Sequence, residues 1–100
     1  TTEGWRSNAS AEDIAHACRY LRCTPETLTE GMICACLASV SDTAIIPLAD
    51  WLHLGSEARI NTPSTQGANW HWRLAQPLPA TLAGHIAELT TLYERVPERL

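Results

Sequence analysis

The stretch Thr43-Ala44-Ile45-Ile46-Pro47-Leu48-Ala49 decides how the rest of the sequence is read. It is a short, nearly continuous apolar run, the pattern of a strand buried on both faces, as in a parallel sheet. Pro47 cannot donate to a ladder, so it belongs near the strand's end, where the chain turns into a loop. Asp50 then stands ready to cap a short helical turn through Leu54. One strand is not a sheet, and a doubly buried strand needs neighbours that this chain does not supply. The class is therefore α/β, with the sequence read as one part of a larger α/β protein. The competing reading is an all-α domain in which 43–49 is a buried extended linker. In either case a piece with bare apolar flanks repacks or self-associates to cover them.

Working upstream, Ser10 is a good N-cap, and Glu12 and Asp13 put negative charge in the first turn after it. Ile14, Ala17, Cys18 and Leu21 fall at i, i+3, i+4 and i+7, which predicts an amphipathic helix over about 10–22. Thr24-Pro25-Glu26 reads as cap, proline and acid, opening a second helix over about 25–40. Its Leu28, Met32, Ile33, Cys36, Leu37 and Val40 make it apolar enough to be mostly covered, and Gly31 marks a place of close packing. Residues 1–9 read as polar and turn-like apart from Gly4-Trp5.

Downstream, residues 55–79 are rich in Gly, Pro, Asn, Ser and Thr. A loop of that length in a compact domain is either functional or disordered. Trp70 and Trp72 argue against disorder, because such rings are costly to leave in water. A final helix is predicted over about 80–95, with Leu82, Ile86, Leu89, Tyr93 and Val96 along one stripe.

At 100 residues, one domain is the ceiling. Seven Arg and no Lys against eleven acidic residues leave a net charge of −4. That balance offers no basic field to draw in phosphates, which argues against nucleic-acid and anionic-membrane binding. No apolar run approaches the roughly 20 residues of a membrane span, and no signal peptide is visible. The chain opens on Thr1, which reads as a processed chain or a piece of something longer. Four cysteines (Cys18, Cys23, Cys34 and Cys36) are too few for a disulfide scaffold and read as free thiols in a reducing, cytoplasmic compartment. Their spacings do not match a zinc ribbon, and His16, His53, His71 and His85 form no H-x-x-x-H pair, so no metal site is expected.

The loop after 43–49 carries the chemistry. Glu57 and Arg59 are placed to pair and fix its shape. Asn61 offers a carbonyl and an amide together, which suits adjacent hydroxyls on a sugar. Trp70 and Trp72 have flat apolar faces that suit pyranose rings. Arg73 and Leu74 directly after them favour the plainer role, core anchors that pin the loop.

Leu54-Gly55-Ser56-Glu57-Ala58-Arg59-Ile60-Asn61-Thr62-Pro63, followed by Asn69-Trp70-His71-Trp72-Arg73-Leu74, resembles the C-terminal signature of the 4-alpha-glucanotransferases, also called amylomaltases or disproportionating enzymes. Ile46-Pro47-Leu48-Ala49-Asp50-Trp51-Leu52 resembles that family's Pro-x-Gln-Asp segment, with Ala49 where the family has Gln. Thr1-Thr2-Glu3-Gly4-Trp5 resembles the segment directly after the family's His-Asp-Asn motif. The match is collinear over nearly the whole chain.

The resemblance implies a (β/α)8 barrel of which this chain is the C-terminal portion, mostly helical when isolated. It implies a retaining transfer of α-1,4-glucan segments between maltooligosaccharides, with one carboxylate as nucleophile and another carboxyl as acid and base. No cofactor is implied. On this alignment the catalytic carboxylates are absent from these 100 residues, and loop 55–79 faces the active site at the end of the barrel where such sites are built. Asn61 and Ser56 would then touch substrate. Asp50, Glu57, Arg59, Trp70 and Trp72 would shape the loop, and Trp5 would lie near the departed catalytic Asp. Two rivals remain: a non-catalytic glucan-binding module using Trp70, Trp72 and Asn61, and a helical interaction domain with no ligand.

Overall fold

The structure is a computed structural model and describes residues 1–61, 65–67 and 69–97. Among the described residues there are five helices, α1 (Thr2–Asn8), α2 (Ala11–Leu21), α3 (Leu28–Ala38), α4 (Leu48–Trp51) and α5 (Leu82–Leu92), with short 3-10 turns at Pro25–Thr27 and Ser56–Ala58. No helix among the described residues is long and apolar enough to cross a membrane.

Local chemistry explains most of the boundaries. The Ser10 hydroxyl accepts from the Asp13 amide at 3.1 Å, so α2 starts where the cap predicts. Thr24 and Thr27 hydrogen-bond each other through side chain and backbone, with Pro25 between them. That reciprocal cap tightens the first turn of the expected second helix into a 3-10 turn, and α3 proper begins at Leu28. α3 ends at Ala38, short of the expected 40, because the Ser39 hydroxyl donates to the Cys36 carbonyl and Ser39 turns extended. Val40 is left fully exposed beyond it. The Arg95 guanidinium then covers that helix end, donating to the carbonyls of Leu37 at 2.7 Å, Ser39 at 3.2 Å and Ser41 at 2.9 Å. A cation there satisfies orphan carbonyls and opposes the negative end of the helix dipole.

Two expectations are corrected. Residues 1–9 are a helix rather than a turn. The Thr1 hydroxyl accepts from the Gly4 amide at 3.0 Å, and Glu3 pairs with Arg6 one turn on at 2.7 Å. The strand expected over 43–49 is not formed, and no strand exists among the described residues. A ladder needs a partner edge, and none is present among them. Residues 43–47 run without regular structure past α3 and α5, with Thr43, Ile45 and Pro47 exposed and Ala44 and Ile46 half-buried. That alternation belongs to a chain covered on one side only. Pro47 (φ −58) closes the run, and α4 begins at the next residue.

α3 is the centre of the molecule and packs against α1, α2, α4 and α5. It is apolar on most of its circumference, as a helix surrounded by others must be. Leu28, Thr29, Ile33 and Leu37 are its buried positions, joined by Cys18, Ala49, Ala58 and Leu82 from around it. The Cα radius of gyration is 15.2 Å, larger than the roughly 13 Å of a closed 100-residue domain. The core is accordingly small, and Ile45 (84% exposed) and Tyr20 (80% exposed) stand in solvent.

Candidate functional site

The first residues of α1, the start of α4 and the turn after it converge on one corner. Asp50, the third residue of α4, reaches across 48 positions to the α1 N-terminus. Its carboxylate accepts from the Thr2 amide at 2.9 Å and from the Thr2 hydroxyl at 2.8 Å. A carboxylate at a helix N-terminus answers both the orphan amides and the dipole. Gly4 is buried directly against Ser56, and a Cβ at Gly4 would collide with the Ser56 hydroxyl. The glycine lets α1 lie close on the 3-10 turn, where any side chain would push the Ser56 and Thr1 hydroxyls aside and press on the Ser56 backbone. Ser56 is therefore a packing neighbour of α1 in this structure.

Glu3 ties the same helix to α3. Its second oxygen accepts from the buried Thr29 hydroxyl at 2.9 Å. Burial pushes the Glu3 carboxyl up, but hydrogen bonds from Arg6 and Thr29, and the charges of Arg6 and His53, outweigh it and hold the group below the ordinary glutamate value.

Beside this corner lies a cleft of about 320 Å³ lined by Thr1, Pro47, Leu48, Ala49, Ala58, Arg59, Ile60, Asn61 and Trp72. Three of the residues singled out from the sequence, Arg59, Asn61 and Trp72, meet on its wall. Asn61 is exposed and Trp72 half-buried, so the cleft offers a polar amide beside a flat apolar ring. Trp72 also borders a second hollow of about 380 Å³, formed with Leu52, Leu54, Glu57 and Leu74.

The other singled-out residues lie elsewhere or act differently. Glu57 does not pair with Arg59. Its carboxylate turns back to accept the Gly55 amide at 3.0 Å, and no ion pair involves Arg59 among the described residues. The reason is reach: two residues apart on a 3-10 turn, the two side chains diverge. Trp70 is not a core anchor. It is 71% exposed and takes a left-handed conformation (φ 66), and only its backbone amide, bonded to the Ile60 carbonyl, pins the loop. Trp5 is 45% exposed on α1. Thr62 and Pro63 of the loop motif lie outside the described residues.

Sequence reasoning also passed over a cluster around Glu30 of α3. The Glu30 carboxylate lies within hydrogen-bonding distance of His53 Nε2 at 3.2 Å and of His85 Nε2 at 3.1 Å. His85 in turn packs edge-on against Trp51, with ring centroids 5.8 Å apart. The two histidines stand 23 and 55 positions along the chain from Glu30, so no local spacing announces them. No group of three or more His, Cys, Asp or Glu among the described residues is arranged to hold a metal ion.

Residues 1–79, which include both the α1–α4 corner and the cleft, match the family model of 4-alpha-glucanotransferase. Among curated relatives, a 4-alpha-glucanotransferase of Synechocystis sp. is 39% identical, over 95% of this chain and 19% of its own length. A chloroplastic/amyloplastic 4-alpha-glucanotransferase of Arabidopsis thaliana is 36% identical, over 96% of this chain and 18% of its own. A 4-alpha-glucanotransferase of Streptococcus pneumoniae is 40% identical, over the whole of this chain and 20% of its own. The chain thus spans about a fifth of the length of the relatives it matches. A family match across four-fifths of the sequence, with identity near 40% along almost all of it, agrees with the motifs that surround the cleft, and the chain belongs to the 4-alpha-glucanotransferase family.

Proposed function

We propose that these residues form one wall of the glucan site of a 4-alpha-glucanotransferase, which moves α-1,4-glucan segments between maltooligosaccharides by a retaining double displacement. One observation carries the reading: within the family-matched region, Asn61, Arg59 and Trp72 meet on a single cleft beside the α1–α4 corner. The Trp72 ring packs on a pyranose face, and the Asn61 amide spans two neighbouring hydroxyls.

The reaction needs two carboxyl groups flanking the glycosidic bond. The cleft wall carries none, Asp50 is engaged by Thr2, and Glu57 folds onto its own turn. The reacting carboxylates therefore come from residues other than these, in a (β/α)8 barrel whose loops meet at one end. The run 43–47 would be a barrel strand there, its bare edges supplied with partners.

The test uses the complete enzyme, with transfer followed as glucose release from maltotriose. Asn61→Ala should lower kcat/KM by about tenfold, the loss of a hydrogen-bonding pair worth about 1.4 kcal/mol in the transition state. The unfolding free energy should stay within about 0.5 kcal/mol, because Asn61 is exposed. Undiminished transfer would remove Asn61 from the site. The 100-residue chain alone should self-associate through Val40, Ile45 and Tyr20, all exposed apolar side chains. Sedimentation at increasing concentration reads this directly, and a monomer throughout would contradict it.

A further inference from the structure

We propose that Cys18 and Cys23 are a redox pair that closes a reversible disulfide across the corner between α2 and α3. The inference is independent of the glucan reading and rests on how α2 ends. Arg22 takes left-handed dihedrals (φ 55, ψ 49), and its amide donates to the Cys18 carbonyl. The Cys23 amide donates to the same carbonyl at 3.0 Å. A helix that stops this way folds its sixth residue back over the first, so that their side chains meet. The pair found there is ordinarily apolar; in this chain both members are cysteine.

The two thiols interact. Burial, and then the Cys18 thiol facing it, push the Cys23 thiol up. Cys18 is buried and Cys23 half-buried, so an oxidant in solution reaches Cys23 first. α3 leaves space for the sulfur, since a Cβ at Gly31 would lie only 3.1 Å from Cys23 Sγ. Cys34 and Cys36 are not a second such pair, because residues two apart on a helix point in different directions.

The chemistry balances with a low-molecular-weight disulfide, RSSR, as oxidant. Cys23 loses its proton, and its thiolate attacks one sulfur of RSSR, giving Cys23–S–SR and RS⁻. Cys18 loses its proton in turn and attacks the Cys23 sulfur, forming the Cys18–Cys23 bond and expelling the second RS⁻. The two protons end on the two RS⁻, so one RSSR is reduced to two RSH as two thiols become one disulfide. With the Cys23 thiol raised, capture is slow near neutrality and accelerates as pH rises. Disulfides of reducing compartments are typically transient and redox-sensing, and a half-exposed bond is open to reduction again.

The full chain is equilibrated in glutathione buffers spanning about a thousandfold in redox ratio, then alkylated and digested with trypsin. Arg19 and Arg22 lie between the two cysteines, so the bond joins two peptides that are otherwise separate, and a second cut with chymotrypsin at Leu28 parts Cys23 from Cys34 and Cys36, which share its tryptic peptide. The expected product is a linked Cys18–Cys23 peptide pair within one chain. It should vanish with dithiothreitol, persist in the Cys34→Ser/Cys36→Ser variant and be absent from Cys23→Ser. The equilibrium constant for bond formation should be about tenfold higher in the folded chain than in denaturant, because the turn positions the sulfurs. Links to Cys34 or Cys36, bonds between chains only, four alkylated cysteines at the most oxidising ratio, or equal constants folded and denatured would each overturn the proposal.

Discussion

The corner where α1 meets α4 and the loop that follows it lie side by side but are held by different means. At the corner, side chains 26 and 48 residues apart join through Thr29–Glu3 and Thr2–Asp50 hydrogen bonds, and a glycine lets backbone touch side chain at Gly4 and Ser56. The stretch from Arg59 to Thr81 has no helix among its described residues, and most of its side chains face solvent, Trp70 included. The cleft has one wall from each. The difference shows that the position of the cleft is set by polar long-range contacts on one side. On the other side Trp70 stands in solvent and Trp72 is half-buried.

The largest effect should come from cutting the corner. Asp50→Ala removes two acceptors and leaves the Thr2 amide and hydroxyl without their partner, which should cost about 2 kcal/mol, or on the order of 10 °C in Tm. Calorimetry reads it, and Asp50→Asn, which keeps one acceptor oxygen, should recover part of the loss. A drop no larger than that of an exposed loop residue would erase the contrast between the two regions.

A smaller effect separates them by pH. Glu3 has its folded-state value held below the unfolded one, so its contribution is present above the unfolded-state value, about 4.3. It is lost as pH falls through the lower folded value. Denaturant midpoints should therefore decline on acidification below about pH 4.3, and Glu3→Gln should flatten that part of the curve. An unaltered slope in the variant would show that Glu3 does not carry the acid sensitivity of the corner.

The smallest effect belongs to the loop. Trp70→Ala should change stability by no more than about 0.5 kcal/mol, since the ring lies mostly in water and the backbone bond to Ile60 does not need it. A larger loss, read by chemical denaturation, would mean that the ring is held after all and would bring the two regions closer together.

Much of the helix pattern was legible because its causes are local. The Ser10 cap, the Thr24-Pro25 entry and the apolar stripe from Leu82 sit within a few residues of the elements they control. α1 was harder to read. Its own signals are a Thr1 cap and one Glu3–Arg6 pair, and much of what holds it comes from Asp50 and Thr29 far along the chain. Of the candidate site, Asn61, Arg59 and Trp72 were picked by residue chemistry and do share a wall, whereas a Glu57–Arg59 pair was plausible by type and failed by geometry. The Glu30–His53–His85 cluster carried no spacing signal, because only the packing of α5 and of the turn after α4 against α3 assembles it.

By itself the sequence determined the family, the three longer helices and the residue types available to the cleft, since motifs, caps and periodicity are written in neighbouring residues. Only the tertiary structure decided that 43–47 stays an unpaired extended run, that Asp50 holds α1, and which of the loop's side chains meet. Those outcomes depend on hydrogen-bond partners and covering surfaces brought together from distant parts of the chain, and a strand without a partner edge has nothing to close its ladder.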